Sequence, residues 1–264
     1  GKVGHAGTLD PMATGLLIIG VGRATRLLRF VQAARKEYVA TALFGVATDS
    51  LDADGSVLSR EPLPVDAEQV EAAMGRFRGE IVQVPPMVSA RKVEGRRLYE
   101  LAREGKVVER EARPVTIHEL DLIDLAPSDY PEVTFRTVCS TGTYVRTLAD
   151  DLARSLGGRA HLTALRRTAN GGVRVEGAHT VEAAIASLDD SGDVVISPMD
   201  ALAGMPVVSI DEATAFRVRN GRPLEGEHTD VAEDEFVRIA GPDGALMAVY
   251  RRSSEKLVPE VVLS

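Results

Sequence analysis

Tryptophan is absent from the 264 residues, cysteine occurs once, and aromatic side chains make up only 4%. The lone Cys139 cannot close an internal disulfide, and one thiol with five scattered histidines offers no thiolate zinc site. No apolar run approaches the ~20 residues needed to span a bilayer. The opening Gly1-Lys2-Val3-Gly4-His5 carries no basic-then-apolar leader, so nothing points to secretion. Internal repeats and low-complexity tracts are missing as well. These absences imply a reduced, cytoplasmic protein with no membrane association. What is present agrees, because 44% hydrophobic and 27% charged residues can build a packed core and exclude a disordered chain. At ~150 residues per domain, the length predicts one large domain, or one with a small partner.

Charge is unevenly spread. The total is −8, yet residues 1–36 carry +5 through Lys2, Arg23, Arg26, Arg29, Arg35 and Lys36 against Asp10 alone. Residues 91–113 carry +3, and residues 201–264 carry −4. A basic footprint on an acidic protein is compatible with a nucleic-acid partner, since only charges near the phosphates act strongly. Solvated surface charge explains these counts equally well.

Helix signals occur in four places. Asp66 with Gln69 reads as a capping box opening a helix through about Arg76, with Gly79 beyond it. Between Thr143 and Leu156, Val145, Leu148, Ala149, Leu152 and Leu156 share one face, and Gly157-Gly158 ends the run. Thr180 opens an Ala-rich helix, and Asp211 caps another that stops at Asn220-Gly221. Strands are expected from Tyr38 to Phe44 and from Glu132 to Ser140, where Val133, Phe135, Thr137 and Cys139 alternate. Phe236–Ala240 and Ala245–Tyr250 read as a hairpin around Gly241-Pro242-Asp243-Gly244, and Val258 to Leu263 as a further strand. Strands mixed with helices, without a regular βαβα period, predict an α+β fold with a mostly antiparallel sheet. A boundary near residue 204 sets off a small acidic C-terminal unit. Residues 85–113, with proline near both ends and dense charge, read as an exposed excursion that closes on a ligand.

The most unusual segment runs Gly4-His5-Ala6-Gly7-Thr8-Leu9-Asp10-Pro11-Met12-Ala13-Thr14-Gly15-Leu16-Leu17. Its glycines and proline imply a tightly turned loop holding one carboxylate among small and apolar neighbours. A buried Asp needs a cationic or hydrogen-bonding support, although an ordinary Asp-Pro turn accounts for the spacing too. Neither phosphate-loop pattern is present. Thr48 to Gly55 superficially resembles a calcium loop but lacks the closing Glu, and reads as a turn.

This opening segment strongly resembles the signature of the TruB family of bacterial tRNA pseudouridine synthases. Further blocks follow in family order across about residues 1–200. They are Lys36-Glu37-Tyr38-Val39-Ala40 with Thr48 to Gly55; Val84-Pro85-Pro86 through Ser89-Ala90-Arg91-Lys92 to Tyr99; and Tyr144-Val145-Arg146-Thr147-Leu148 with Gly158 to Thr168. The resemblance implies a mixed, largely antiparallel sheet with flanking helices over residues 1–203, with an RNA-gripping insertion at about 85–113. Residues 204–264 would form a small, β-rich, PUA-like RNA-binding domain. It further implies isomerisation of the uridine at position 55 in the tRNA T-loop, by a stand-alone monomer without guide RNA or protein partner.

On this resemblance Asp10 is the nucleophile, Arg146 pairs with it, and Tyr38 stacks on the target base. His5 helps displace that base, Tyr144 and Leu165 line its pocket, and Arg91 and Lys92 grip RNA. No metal, nicotinamide or other cofactor is expected, because isomerisation exchanges a C–N for a C–C bond without net oxidation or hydrolysis. A carboxylate can act there on the sugar carbon, on the base, or by proton removal leading to a glycal. Each residue also has a structural reading. Tyr38, Tyr144 and Leu165 fit ordinary core positions, Arg146 is spaced to pair with Asp150 at i+4, and His5 fits a turn cap. His118, His161, His179 and His228 receive no catalytic role. The family's block upstream of the nucleophile loop does not appear before Gly1. Two alternatives remain: an RNA-binding folding helper that does not depend on turnover, and the guide-dependent relatives, whose partner-binding extensions are not evident.

Overall fold

A computed structural model describes residues 1–86, 110–190, 194–226 and 231–263, with the short paired segments Lys92–Val93 and Arg96–Arg97 between them. It forms two compact units. One holds Thr8–Leu16 and Arg35–Ala169; the other holds Gly1–Gly7, Leu17–Ala34 and Asn170–Ser264.

The first unit is built on a sheet whose neighbouring strands are Ala160–Asn170, Lys36–Phe44, Glu132–Cys139, Arg113–Ala126 and Gly79–Gln83. The last three pairings along that order are antiparallel. Thr14–Gly15 adds a parallel pair, Thr14 beside Arg166 and Gly15 beside Arg167, which makes the sheet mixed. Alternation dictates which face is buried: Val133, Phe135, Thr137 and Cys139 point into the core. The helix Val145–Ser155 lies against Lys36–Phe44 and the helix Ala67–Met74. Phe44, Phe135, Ile117, Leu120, Leu148, Leu152, Leu162 and Met74 fill the space between them.

Local signals explain the helix ends. The Asp66 side chain accepts from the Gln69 N–H while the Gln69 side chain accepts from the Asp66 N–H, closing the capping box. That helix stops at Gly75, earlier than Arg76, so Gly79 begins the next strand instead of following the helix directly. The helix Val145–Ser155 is buried on more than its apolar stripe, since Arg146, Thr147 and Asp150 are also inside. Asp150 accepts from Arg154 at 2.8 Å and Arg159 at 2.7 Å, which closes the helix against the strand that follows.

In the second unit, Val207–Ser209, Phe236–Ala240, Leu246–Ser253, Lys256–Val262 and Leu224–Glu225 form a five-stranded sheet. The Val207–Ser209 pairing is parallel and the others antiparallel. The helix Glu212–Arg219, capped by Asp211, covers it over Val218, Val237, Ile239 and Tyr250. Part of the basic N-terminal segment makes structural contacts here. Arg23 and Arg26 donate to the Leu263 and Val262 carbonyls at 3.2 and 2.7 Å, and Arg29 pairs with Glu260 at 3.1 Å. Half of the six cations counted in residues 1–36 therefore tie down the C-terminal strand. Among the described residues, no helix is long and apolar enough to cross a membrane.

Candidate active site

The segment from Thr8 to Leu16 turns sharply at Asp10, whose carbonyl accepts the Ala13 N–H at 2.9 Å. It then joins the sheet edge at Gly15. The backbone there has φ +96°, and a Cβ would lie only 2.2 Å from the Arg167 carbonyl, so the position admits glycine alone. Leu16 completes the anchor, since its N–H donates to the Arg167 carbonyl at 2.8 Å and its carbonyl accepts from Arg167 Nε at 2.7 Å. Met12 and Ala13 pack against the core cluster that includes Tyr38, Val145 and Leu165. The loop is thus held directly after Asp10, whose side chain stays 33% exposed.

Arg146, 3% exposed, reaches that carboxylate from the first turn of the helix Val145–Ser155. Nε donates to Asp10 Oδ2 and Nη2 to Oδ1, both at 2.9 Å, a bidentate fork that fixes the carboxylate plane. Its remaining nitrogen, Nη1, faces the 48–55 turn. It donates to the Ser50 carbonyl at 2.8 Å and to Asp52 Oδ2 at 3.0 Å. Asp52 is itself buried, and its Oδ1 accepts from Ser50 Oγ at 2.5 Å and the Asp54 N–H at 3.2 Å. Leu51 between them takes φ 63°, a strained conformation for a branched side chain, and this bend aims both acceptors at Arg146. Two carboxylates therefore share one buried guanidinium, and only Asp10 of the three is open to solvent.

Tyr38 is buried on the strand Lys36–Phe44, and burial pushes its hydroxyl above the usual range, opposed by the charge and hydrogen bond of Arg167. The charge of Asp10 adds to the rise, so the phenol lies within electrostatic reach of the carboxylate and stays neutral. Two positions earlier, Lys36 is lowered to about 8 by burial and then by Arg167, with Cys139 acting against both. Cys139, its cross-strand partner, is pushed up to about 11 by burial.

The comparisons follow the same outline. The model for the TruB family pseudouridylate synthase N-terminal domain matches residues 1–145, and that for the tRNA pseudouridine synthase II C-terminal domain matches residues 205–264. A protein of Burkholderia mallei named tRNA pseudouridine synthase B is 47% identical over 264 residues, covering 98% of this chain and 86% of its own. The chain belongs to the TruB family. A Ralstonia nicotianae protein of the same name is 46% identical over 246 residues, covering 92% of this chain and 78% of its own. In solved structures, a chain of a Cbf5-Nop10-Gar1 complex superposes with a TM-score of 0.76 at 23% identity, across 100% of this chain and 77% of that one; this establishes the shared fold.

The TruB blocks converge unequally. Asp10, Arg146, Tyr38, Leu165 and Tyr144 all fall in the first unit. Tyr144 is half-buried at the helix N-terminus, and Leu165 is buried on the Ala160–Asn170 strand. His5 is exposed in the second unit, paired with Ile19, and its carbonyl accepts from Gln32 at 2.9 Å. Arg91 and the Lys92 side chain lie outside the described residues, as does most of the 85–113 excursion. The spacing-based pairing of Arg146 with Asp150 is overturned, because Asp150 takes Arg154 and Arg159 while Arg146 turns to Asp10 and Asp52. Sequence reasoning missed Asp52 and Arg167. The turn reading of residues 48–55 was sound, but nothing local marks which of its acids is buried.

Proposed function

We propose that this TruB-family chain isomerises uridine to pseudouridine in tRNA, at position 55 of the T-loop, without guide RNA, protein partner or cofactor. On this reading it works as a cytoplasmic monomer. The observation that carries the proposal is the Asp10 carboxylate, partly open to solvent yet clamped at two points by a buried arginine.

The reaction breaks the bond from C1′ to N1 and makes one from C1′ to C5, with the C5 proton finally leaving the base. Attack at C1′, addition to the base and proton removal toward a glycal all require an ionised carboxylate of fixed orientation. The Arg146 fork supplies both. The target uridine must first leave its stack, at a cost of a few kcal/mol. Stacking on Tyr38 offsets ~1–3 kcal/mol of this. The freed uracil must then turn without escaping, and Leu165 and Tyr144 serve as confining walls. His5 aids displacement of the base, Arg91 and Lys92 grip the backbone, and residues 204–264 act as an accessory RNA-binding domain.

The test uses the purified chain and a T-arm transcript, with pseudouridine mapped by carbodiimide modification and reverse transcription. Pseudouridine at position 55 alone is expected. Salt-sensitive RNA binding with no isomer formed would overturn the enzyme reading in favour of a folding helper.

A further inference from the structure

Gln83 ends the strand Gly79–Gln83, opposite Arg113, and is 1% exposed. Its amide lies along the Tyr144 backbone. The Tyr144 N–H donates to Oε1 at 3.0 Å, and Nε2 donates to the Tyr144 carbonyl at 3.3 Å. The same carbonyl is the first acceptor of the helix Val145–Ser155, taking the Leu148 N–H at 3.0 Å. Tyr144 is the N-cap of that helix and makes no side-chain cap of its own. Three residues on, where a capping box has Glu or Gln to accept the N-cap N–H, the chain has Thr147. Gln83 supplies that missing acceptor from a neighbouring strand, and grips the carbonyl as well.

This clamp sits two residues before Arg146. A rotation of the first helical turn swings both the Tyr144 ring and the Arg146 guanidinium relative to Asp10, whose own loop is anchored separately by Arg167. Hydrogen bonds to both backbone polar groups of one residue, and so to two successive peptide units, leave that turn little freedom to rotate, whereas an apolar side chain of the same size fills the space but holds nothing.

We propose that Gln83 is a positioning residue for the reaction, fixing the Tyr144 backbone so that Tyr144 and Arg146 meet the base and Asp10 in register. The inference rests on the function proposed above. Its test compares Gln83→Met, close in volume but without the amide, with Gln83→Glu, which keeps an acceptor for the Tyr144 N–H and loses the donor. Single-turnover pseudouridine formation on T-arm RNA is measured below each variant's unfolding transition and corrected for folded fraction, beside filter-binding affinity for the same RNA. The Met variant is expected to lose tenfold or more in rate with affinity within twofold of native, and the Glu variant to fall between. A Met variant at the native rate overturns the proposal, as does a loss confined to affinity. Should the Met variant not fold, the Glu variant decides: at least threefold slower at unchanged affinity supports the role, and the native rate refutes it. An inactive native chain would instead sink the proposed function, whereas an active one indifferent to Gln83→Met sinks this inference alone.

Discussion

Replacing Asp52 by Asn isolates the second carboxylate on Arg146. The side chain keeps its shape and can still accept from Ser50 Oγ and the Asp54 N–H. Opposite Arg146 Nη1, however, the carboxylate oxygen at 3.0 Å becomes an amide nitrogen, a donor facing a donor. Hydrogen bonds to charged groups contribute about 1.5–3 kcal/mol. On the proposed function, the guanidinium, no longer shared, would bind Asp10 more tightly and make that carboxylate a poorer reagent. If the lost bond is felt in full at the transition state, the rate falls about 10–100-fold, at about 1.4 kcal/mol per factor of ten. Asp52 is buried, so affinity for T-arm RNA is expected to stay within twofold. Single-turnover assays at saturating enzyme, paired with filter binding, measure both. A rate within twofold of native would refute the view that the shared arginine tunes Asp10.

Gly15→Ala places a Cβ 2.2 Å from the Arg167 carbonyl at a φ of +96°. Summing ~1–2 kcal/mol for the left-handed backbone and ~1–3 kcal/mol for overpacking, urea unfolding should show a loss of about 2–5 kcal/mol; an unchanged midpoint would contradict the anchoring of the loop. Lys36→Met tests the buried lysine. With the native value near 8 and the unfolded one near 10.5, the unfolded chain binds the extra proton between those pH values. Stability of the native chain relative to the Met variant should therefore rise across that window and be flat below it. The Cys139 thiol, held near 11, acts in the opposite sense; without the Lys36 charge, which favours the thiolate, it is pushed further up in the Met variant, so its effect adds to the expected rise. A constant difference from pH 7 to 10 would mean that Lys36 is not desolvated.

Periodicity and caps made most of the fold readable. The Asp66 capping box, the alternation from Val133 to Cys139 and the turn at Gly241 to Gly244 are local patterns, and each element formed close to its expected span. The site was legible only through the ordered family blocks. Spacing alone paired Arg146 with Asp150, the wrong partner, because burial of the helix on several sides let Arg159 and Arg154 claim that acid. Asp52 and Gln83 gave no signal. Their partners, Arg146 and Tyr144, lie 94 and 61 residues away, and such contacts leave no period in the chain. The charge count could not show that Arg23, Arg26 and Arg29 also hold the C-terminal segment, because those contacts too are distant in sequence.

Asp10→Asn provides the most direct measurement of all. The amide fills the same space beside Arg146 but carries no charge, and its affinity for a T-arm transcript should match the native chain within a few-fold. Release of tritium from 5-tritiated uridine in that transcript, a count of C5 protons lost, should then drop to background. Tritium release at an appreciable fraction of the native rate would remove the clamped carboxylate from the chemistry.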